Sequence, residues 1–223
     1  MTEVLGRIVA RVPDPGRPVL VAVDGADGAG KTELAEGLGF ALTDAGRTVV
    51  RASVDDFHHP RAHRHARGRT AETVWSRSFD LQAVRRELLD PWRQGPPAAY
   101  RRRWHDLLTD THLDEPPEPV PAEGVLVVDG VFAQRPELAD AWDLVVWLEV
   151  PDAERVRRMA DRDGTVDDTV DPDQQRYLGA QQIYRQTCDP LGSADVVVDN
   201  TDWSAPVVLR EAGQDGRRDH LDP

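Results

Sequence analysis

From residue 19 onward, short apolar runs alternate with stretches of helical periodicity, the pattern of a parallel sheet covered by helices on both faces. Val19 to Val23 reads as a buried strand, and Lys31 to Ala45 follows as a helix with Leu34, Leu38, Ala41 and Leu42 on one stripe and Gly46 as its stop. Thr48 to Val54, Val125 to Val128, Leu144 to Val150 and Ala194 to Val198 are further strands, the last of them closing the core. Helices are expected near Asp152 to Asp161 and Asp173 to Cys188. Another is expected after an N-cap at Asp80, bearing Leu81, Val84 and Leu88 and ended by Pro91. Glu115 to Glu123, with four prolines, reads as an extended connector, and the polar stretch Gly213 to Pro223 as a fraying tail.

The first strand runs straight into Gly25-Ala26-Asp27-Gly28-Ala29-Gly30-Lys31-Thr32, which satisfies the phosphate-binding pattern G-x-x-x-x-G-K-[ST] with a strand before it and a helix after it. Glycines are needed there because the backbone must curl around a phosphate with no side chain in the way. Loop N–H groups and the helix N-terminus then face the anion. Lys31 is expected to reach the β- and γ-phosphates of ATP, and the Thr32 hydroxyl to ligate Mg2+. The Asn-Lys-x-Asp reader of guanine is absent from the chain, which argues against a GTPase. Val125-Leu126-Val127-Val128-Asp129 is a hydrophobic strand ending in an acid, as phosphate-loop proteins use near magnesium.

A length of 223 residues suits one domain, taken as 1–212, with a lid at about 155–172 and a tail at 213–223. The net charge of −13 argues against coating a nucleic acid. No apolar stretch is long enough to span a membrane, no leader is evident at the start, and Cys188 is the single cysteine; together these set a cytoplasmic expectation. Positive charge is nonetheless clustered. Arg61, Arg64, Arg67 and Arg69 share one acid-free stretch with four histidines, and Arg101-Arg102-Arg103 and Arg155 to Arg162 form further islands. Such islands suit a small anion, since guanidinium offers forked donors to phosphate oxygens, or are simply solvated loops.

Acids also stand where a ligand would bind. Asp55 and Asp56 follow the second strand, at the edge where open α/β sheets hold ligands. A carboxylate there could take the proton of an acceptor hydroxyl, worth roughly 10² to 10⁴ in rate, and one of these two is the candidate base. His58, His59, His63 and His65 lack the spacing and cysteine partners of a structural zinc centre, and read as substrate contacts or solvated side chains. Tyr177, Ala180 and Tyr184 read as a core stripe, and Asp199-Asn200-Thr201-Asp202 as an Asx-rich turn or an adenine border.

At Gly25 to Thr32, Asp55-Asp56-Phe57-His58, Val128-Asp129-Gly130-Val131-Phe132 and Arg155 to Asp163, the chain resembles the uridine kinase and phosphoribulokinase family, over most of residues 18–202. The resemblance implies a P-loop NTPase fold, a three-layer α/β/α arrangement with a mostly parallel central sheet and an arginine-bearing lid. It implies a kinase that moves the γ-phosphoryl group of ATP, with Mg2+, to a small hydroxyl-bearing acceptor. A nucleoside is the leading acceptor, with pantothenate, nicotinamide riboside or a sugar phosphate as alternatives and a non-catalytic ATP-binding regulator as the rival of another class. Neither a nucleic acid nor a membrane is an expected partner, and a homo-oligomer stays open. By resemblance Asp55 is the base and assists magnesium with Thr32 and Asp129, Asp56 is the alternative base, and Arg158 and Arg162 close on the phosphates. Asp129 and His58 lie near substrate, and Tyr100 matches a pyrimidine-contacting tyrosine. Arg77 stands where the family has a ribose-binding aspartate; together with the cluster Arg61 to Arg69, that departure could instead favour an acceptor already bearing phosphate or carboxylate.

Overall fold

The computed structural model describes residues 1–164 and 168–212. Residues 165–167 of the expected lid and the expected tail, 213–223, lie outside the described residues.

Every residue of β1 (Val19–Gly25) is buried, because this strand lies at the middle of a sheet covered on both faces. Its neighbours are β3 (Val125–Gly130) and β4 (Leu144–Glu149), both parallel to it, and β2 (Val49–Ser53) pairs with β3 at one edge. On the other side β4 pairs with β5 (Val196–Asp199), giving five parallel strands. A sixth strand, β6 (Val207–Glu211), runs antiparallel to β5 and closes that edge; it is largely exposed, so β5 is the last strand of the core and β6 an unexpected addition. It escapes the hydrophobic pattern because Val207 and Leu209 point to solvent.

Alternate residues of each strand feed two cores. Val19, Val21, Val23, Val125 and Val127 pack on Ile8 of α1 (Thr2–Val9) and on Leu34 and Leu38 of α2 (Lys31–Asp44). Leu20, Ala22, Leu126, Val128 and Trp147 pack on Trp92, Phe132 and Tyr184 on the opposite face. This second face is covered by α3 (Ala71–Arg77), by the helical stretch 81–94 and by α5 (Pro172–Cys188), while α4 (Asp152–Asp163) follows β4. The result is the expected three-layer α/β/α arrangement.

Pro91 does not end its helix. Residues 84–89 take π geometry, and a new α turn, Asp90–Gln94, begins with Pro91 in its first positions. There the missing N–H costs little, and Gly95, at φ 69°, makes the stop instead. No helix among the described residues is long and apolar enough to cross a membrane.

Candidate functional site

The loop between β1 and α2 is held open by its neighbours. Gly28 (φ 75°) and Gly30 (φ 88°) occupy the left-handed region that favours glycine. A β-carbon on Gly28 would stand 2.6 Å from the Arg155 carbonyl, and one on Gly30 2.6 Å from Asn200 Nδ2. Arg155, buried, donates to the Asp27 carbonyl at 3.0 Å, Arg158 to the Gly28 carbonyl at 3.4 Å, and Asn200 to the Ala29 carbonyl at 2.8 Å. With those carbonyls engaged from α4 and the turn after β5, the N–H groups opening α2 remain for an anion. Lys31, also buried, folds back to donate to the Ala26 carbonyl at 3.0 Å.

Beneath the loop lies Asp24, which is fully buried and missed by sequence reading. Its carboxylate accepts from Gly25 N at 2.8 Å, from Gln134 at 3.2 Å and from the Tyr184 hydroxyl. Burial pushes its pKa up and these hydrogen bonds oppose the rise. Tyr184 is thus a polar anchor of the phosphate loop as well as part of the core stripe expected of it.

A chain of oxygen atoms joins the loop to the ends of β2 and β3. Thr32 Oγ1 donates to Asp129 at 2.9 Å, Ser53 Oγ to the Asp129 carbonyl at 3.1 Å, and Asp55 N to Ser53 Oγ at 3.2 Å. The register that sets Ser53 opposite Asp129 brings these groups together. Arg51 adds a contact to Asp129 at 3.8 Å and donates to the Thr32 carbonyl at 3.3 Å. Burial raises the Asp129 pKa, the Thr32 bond works against it, and nearby Asp55 adds to it. Thr32, Asp129 and Asp55 are hard oxygen donors of the kind magnesium prefers, so the residues present fit that ion.

The two candidate bases diverge. Asp55 is exposed and lines a cavity of about 520 Å³, whereas Asp56 turns to Arg103 at 3.2 Å and its pKa is raised mainly by burial. His58 lines the same cavity, packs on Phe79 at 4.4 Å and has its pKa lowered by burial. Its Nδ1 lies 2.7 Å from the Asp55 carbonyl, so that nitrogen carries the proton and Nε2 is the acceptor. Asp27, Arg162, Arg64 and Tyr177 also face this space.

Other expected residues lie elsewhere. Arg158 belongs to the loop and the turn after β5, where it donates to the Asn200 and Thr201 carbonyls at 2.8 and 2.9 Å. Tyr100 is buried edge-on to Trp92 with its hydroxyl on Glu118 at 3.3 Å, burial lifting its pKa to about 12, and it does not line the cavity. Nor does Arg77, which donates to the His63 carbonyl at 3.0 Å. Tyr177, expected in the core, lines the cavity instead. Ser53, Arg51, Asn200 and Arg155 complete the loop's surroundings; only the basic island and the Asx-rich turn hinted at the last two.

A family model described as Zeta toxin matches residues 2–94. No curated protein matches the chain in sequence. Among solved structures, one described as a possible uridine kinase from Bacillus stearothermophilus is 25% identical, with a TM-score of 0.68 over 88% of this chain and 95% of that one. Phosphoribulokinase from Rhodobacter spheroides aligns at 14% identity and TM-score 0.55, over 82% of this chain and 70% of that one. A D-glycerate 3-kinase from Cryptococcus neoformans aligns at 13% identity and TM-score 0.54, over 93% and 98%. The chain has the fold of these P-loop kinases.

Proposed function

We propose that this chain is an ATP-dependent small-molecule kinase of uridine kinase-like type, transferring the γ-phosphoryl group to a hydroxyl on a small acceptor. The reading is carried by one observation: a carboxylate without a side-chain partner among the described residues, Asp55, opens to a cavity that Asp27 of the phosphate loop also lines. A protein that only sensed nucleotide could use such an acid for magnesium, but would need no cavity for an acceptor beside it.

In this reading Lys31 leaves the Ala26 carbonyl for the β- and γ-phosphates, and the N–H groups at the start of α2 hold the same oxygens. Thr32, Asp129 and Asp55 would hold magnesium, which supplies charge neutralisation across the phosphates when bound. Asp55 receives the proton of the acceptor hydroxyl as the phosphoryl group arrives in line. His58, neutral and accepting at Nε2, orients that hydroxyl or a neighbouring one. Arg162 neutralises charge on the moving group, and Arg158 keeps the loop and the turn at Asn200 in register.

The test is a coupled ADP-release screen over nucleosides, pantothenate, nicotinamide riboside and sugar phosphates, with Lys31→Ala as the blank. Release stimulated by at least one acceptor and lost in Lys31→Ala is expected. ATP binding with no stimulation by any acceptor would instead favour a nucleotide-binding regulator.

A further inference from the structure

Asp55 shares its cavity with guanidiniums that the transfer step does not use. Arg64, in the short helix Arg61–His65, is half-buried and donates through Nε to the His59 carbonyl at 2.9 Å. No carboxylate among the described residues lies within ion-pair distance of it, and burial works against its charge. Arg176, on α5, has a side chain only 13% exposed; it lies over the Tyr177 ring at 4.4 Å and donates to that hydroxyl at 2.9 Å. Its carboxylate partner is Asp173 at 3.5 Å, and Arg69 uses the same carboxylate at 3.2 Å. The cavity's other acid on α5's first turn, Asp171, is committed to the helix N-terminus, accepting from Asp173 N at 2.9 Å and Gln174 N at 3.3 Å.

Three guanidiniums from two separate segments therefore face one space with a single carboxylate in ion-pair reach. Arg176 is nearly buried, Arg64 half-buried and Arg69 half exposed, and the forked donors of all three match the oxygens of phosphate or carboxylate. Asp27, Asp55 and Asp171 line the same cavity but none pairs with these three arginines among the described residues, and a neutral nucleoside would bring no anion to them. In the kinase reading ATP's own phosphates would be met from other elements, by the phosphate loop and by Arg162 of α4. We propose that the acceptor carries a phosphate or carboxylate group bound by Arg64, Arg69 and Arg176 while its hydroxyl reaches Asp55. This rests on the kinase reading above.

The test separates ion binding from transfer. Protein saturated with magnesium and a non-hydrolysable ATP analogue, which fills the γ-phosphate position, is titrated with inorganic phosphate and in a second arm with acetate. Wild type is compared with Arg64→Gln, Arg176→Gln and Arg69→Gln; Arg69 is half exposed, so its replacement leaves folding intact. Saturable binding weakened about tenfold or more by these substitutions is expected; the ion that binds tells phosphate from carboxylate. No binding of either ion, or binding indifferent to all three substitutions, overturns the proposal. The same proteins are assayed for ADP release with matched neutral, carboxylated and phosphorylated acceptors. Efficient turnover of neutral acceptors alone, unchanged in the variants, overturns the anionic acceptor and leaves the kinase. Arginine-dependent ion binding without acceptor-stimulated ADP release does the reverse.

Discussion

Gly130 follows Asp129 and sits directly against the turn that carries Asp55, which makes Gly130→Ala a sharp probe of the site. A β-carbon there would lie 2.5 Å from Val54 Cβ and Cγ2, about 1 Å short of ordinary contact. Val54 is fully buried, so it cannot swing into solvent, and the turn Val54–Phe57 must move as a unit. Overpacking of this kind costs about 1–3 kcal/mol. In a chain of this size that is a fall in Tm of roughly 2–12 °C. The functional effect should exceed the thermal one, because a displacement of about 1 Å at a reacting group can cost ~10²-fold in rate. Nucleotide affinity should hold, since the loop glycines contact Arg155, Asn200 and Leu148 rather than Val54. Thermal melts, a fluorescent-nucleotide titration and a transfer assay on one preparation read all three. Unchanged Tm together with unchanged transfer would refute the close approach, and weakened nucleotide binding with normal transfer would refute the division of roles.

Two further substitutions probe the loop's supports. Asn200→Ala removes the donor to the buried Ala29 carbonyl, and should cost about 1–3 kcal/mol in urea unfolding as well as weaken nucleotide binding. Glu154, hydrogen-bonded to Arg157 and Arg158, has its pKa lowered to about 2 from 4.5. A depressed carboxyl pKa contributes stability that is present above the unfolded value and is lost as pH falls from about 4.5 through about 2. Because Glu154 stays in contact with solvent and Arg157 is about half exposed, screening keeps the effect small. Glu154→Gln should flatten the pH slope of the urea midpoint in that window; an identical slope would show that the pairing is absent in solution.

The phosphate loop was legible because its pattern is compressed into consecutive residues: glycines for the curl, then Lys31 and Thr32 opening the helix. The places of Asp129 and Asp55 at strand ends were legible because buried strands betray their ends. The supports were not. Ser53 and Arg51 matter only through the β2–β3 register, and Asp24 only because a helix distant in sequence brings Tyr184 to it. Sequence likewise could not separate Asp55 from Asp56; the turn does, by sending one to the cavity and the other to Arg103. Pro91 misled because a π stretch allows a new helical turn to start at that point, and β6 stayed hidden because an exposed edge strand lacks a buried pattern.

The central claim is that Asp55 takes the acceptor's proton, beyond any share in holding magnesium, and Asp55→Asn, which keeps an oxygen ligand but not the base, tests it most directly with an acceptor found by the screen. Product formation is followed by transfer of labelled γ-phosphoryl, alongside ATP affinity measured without acceptor. The account predicts transfer reduced about 10²-fold or more with ATP affinity close to wild type. Transfer at the wild-type rate would contradict it.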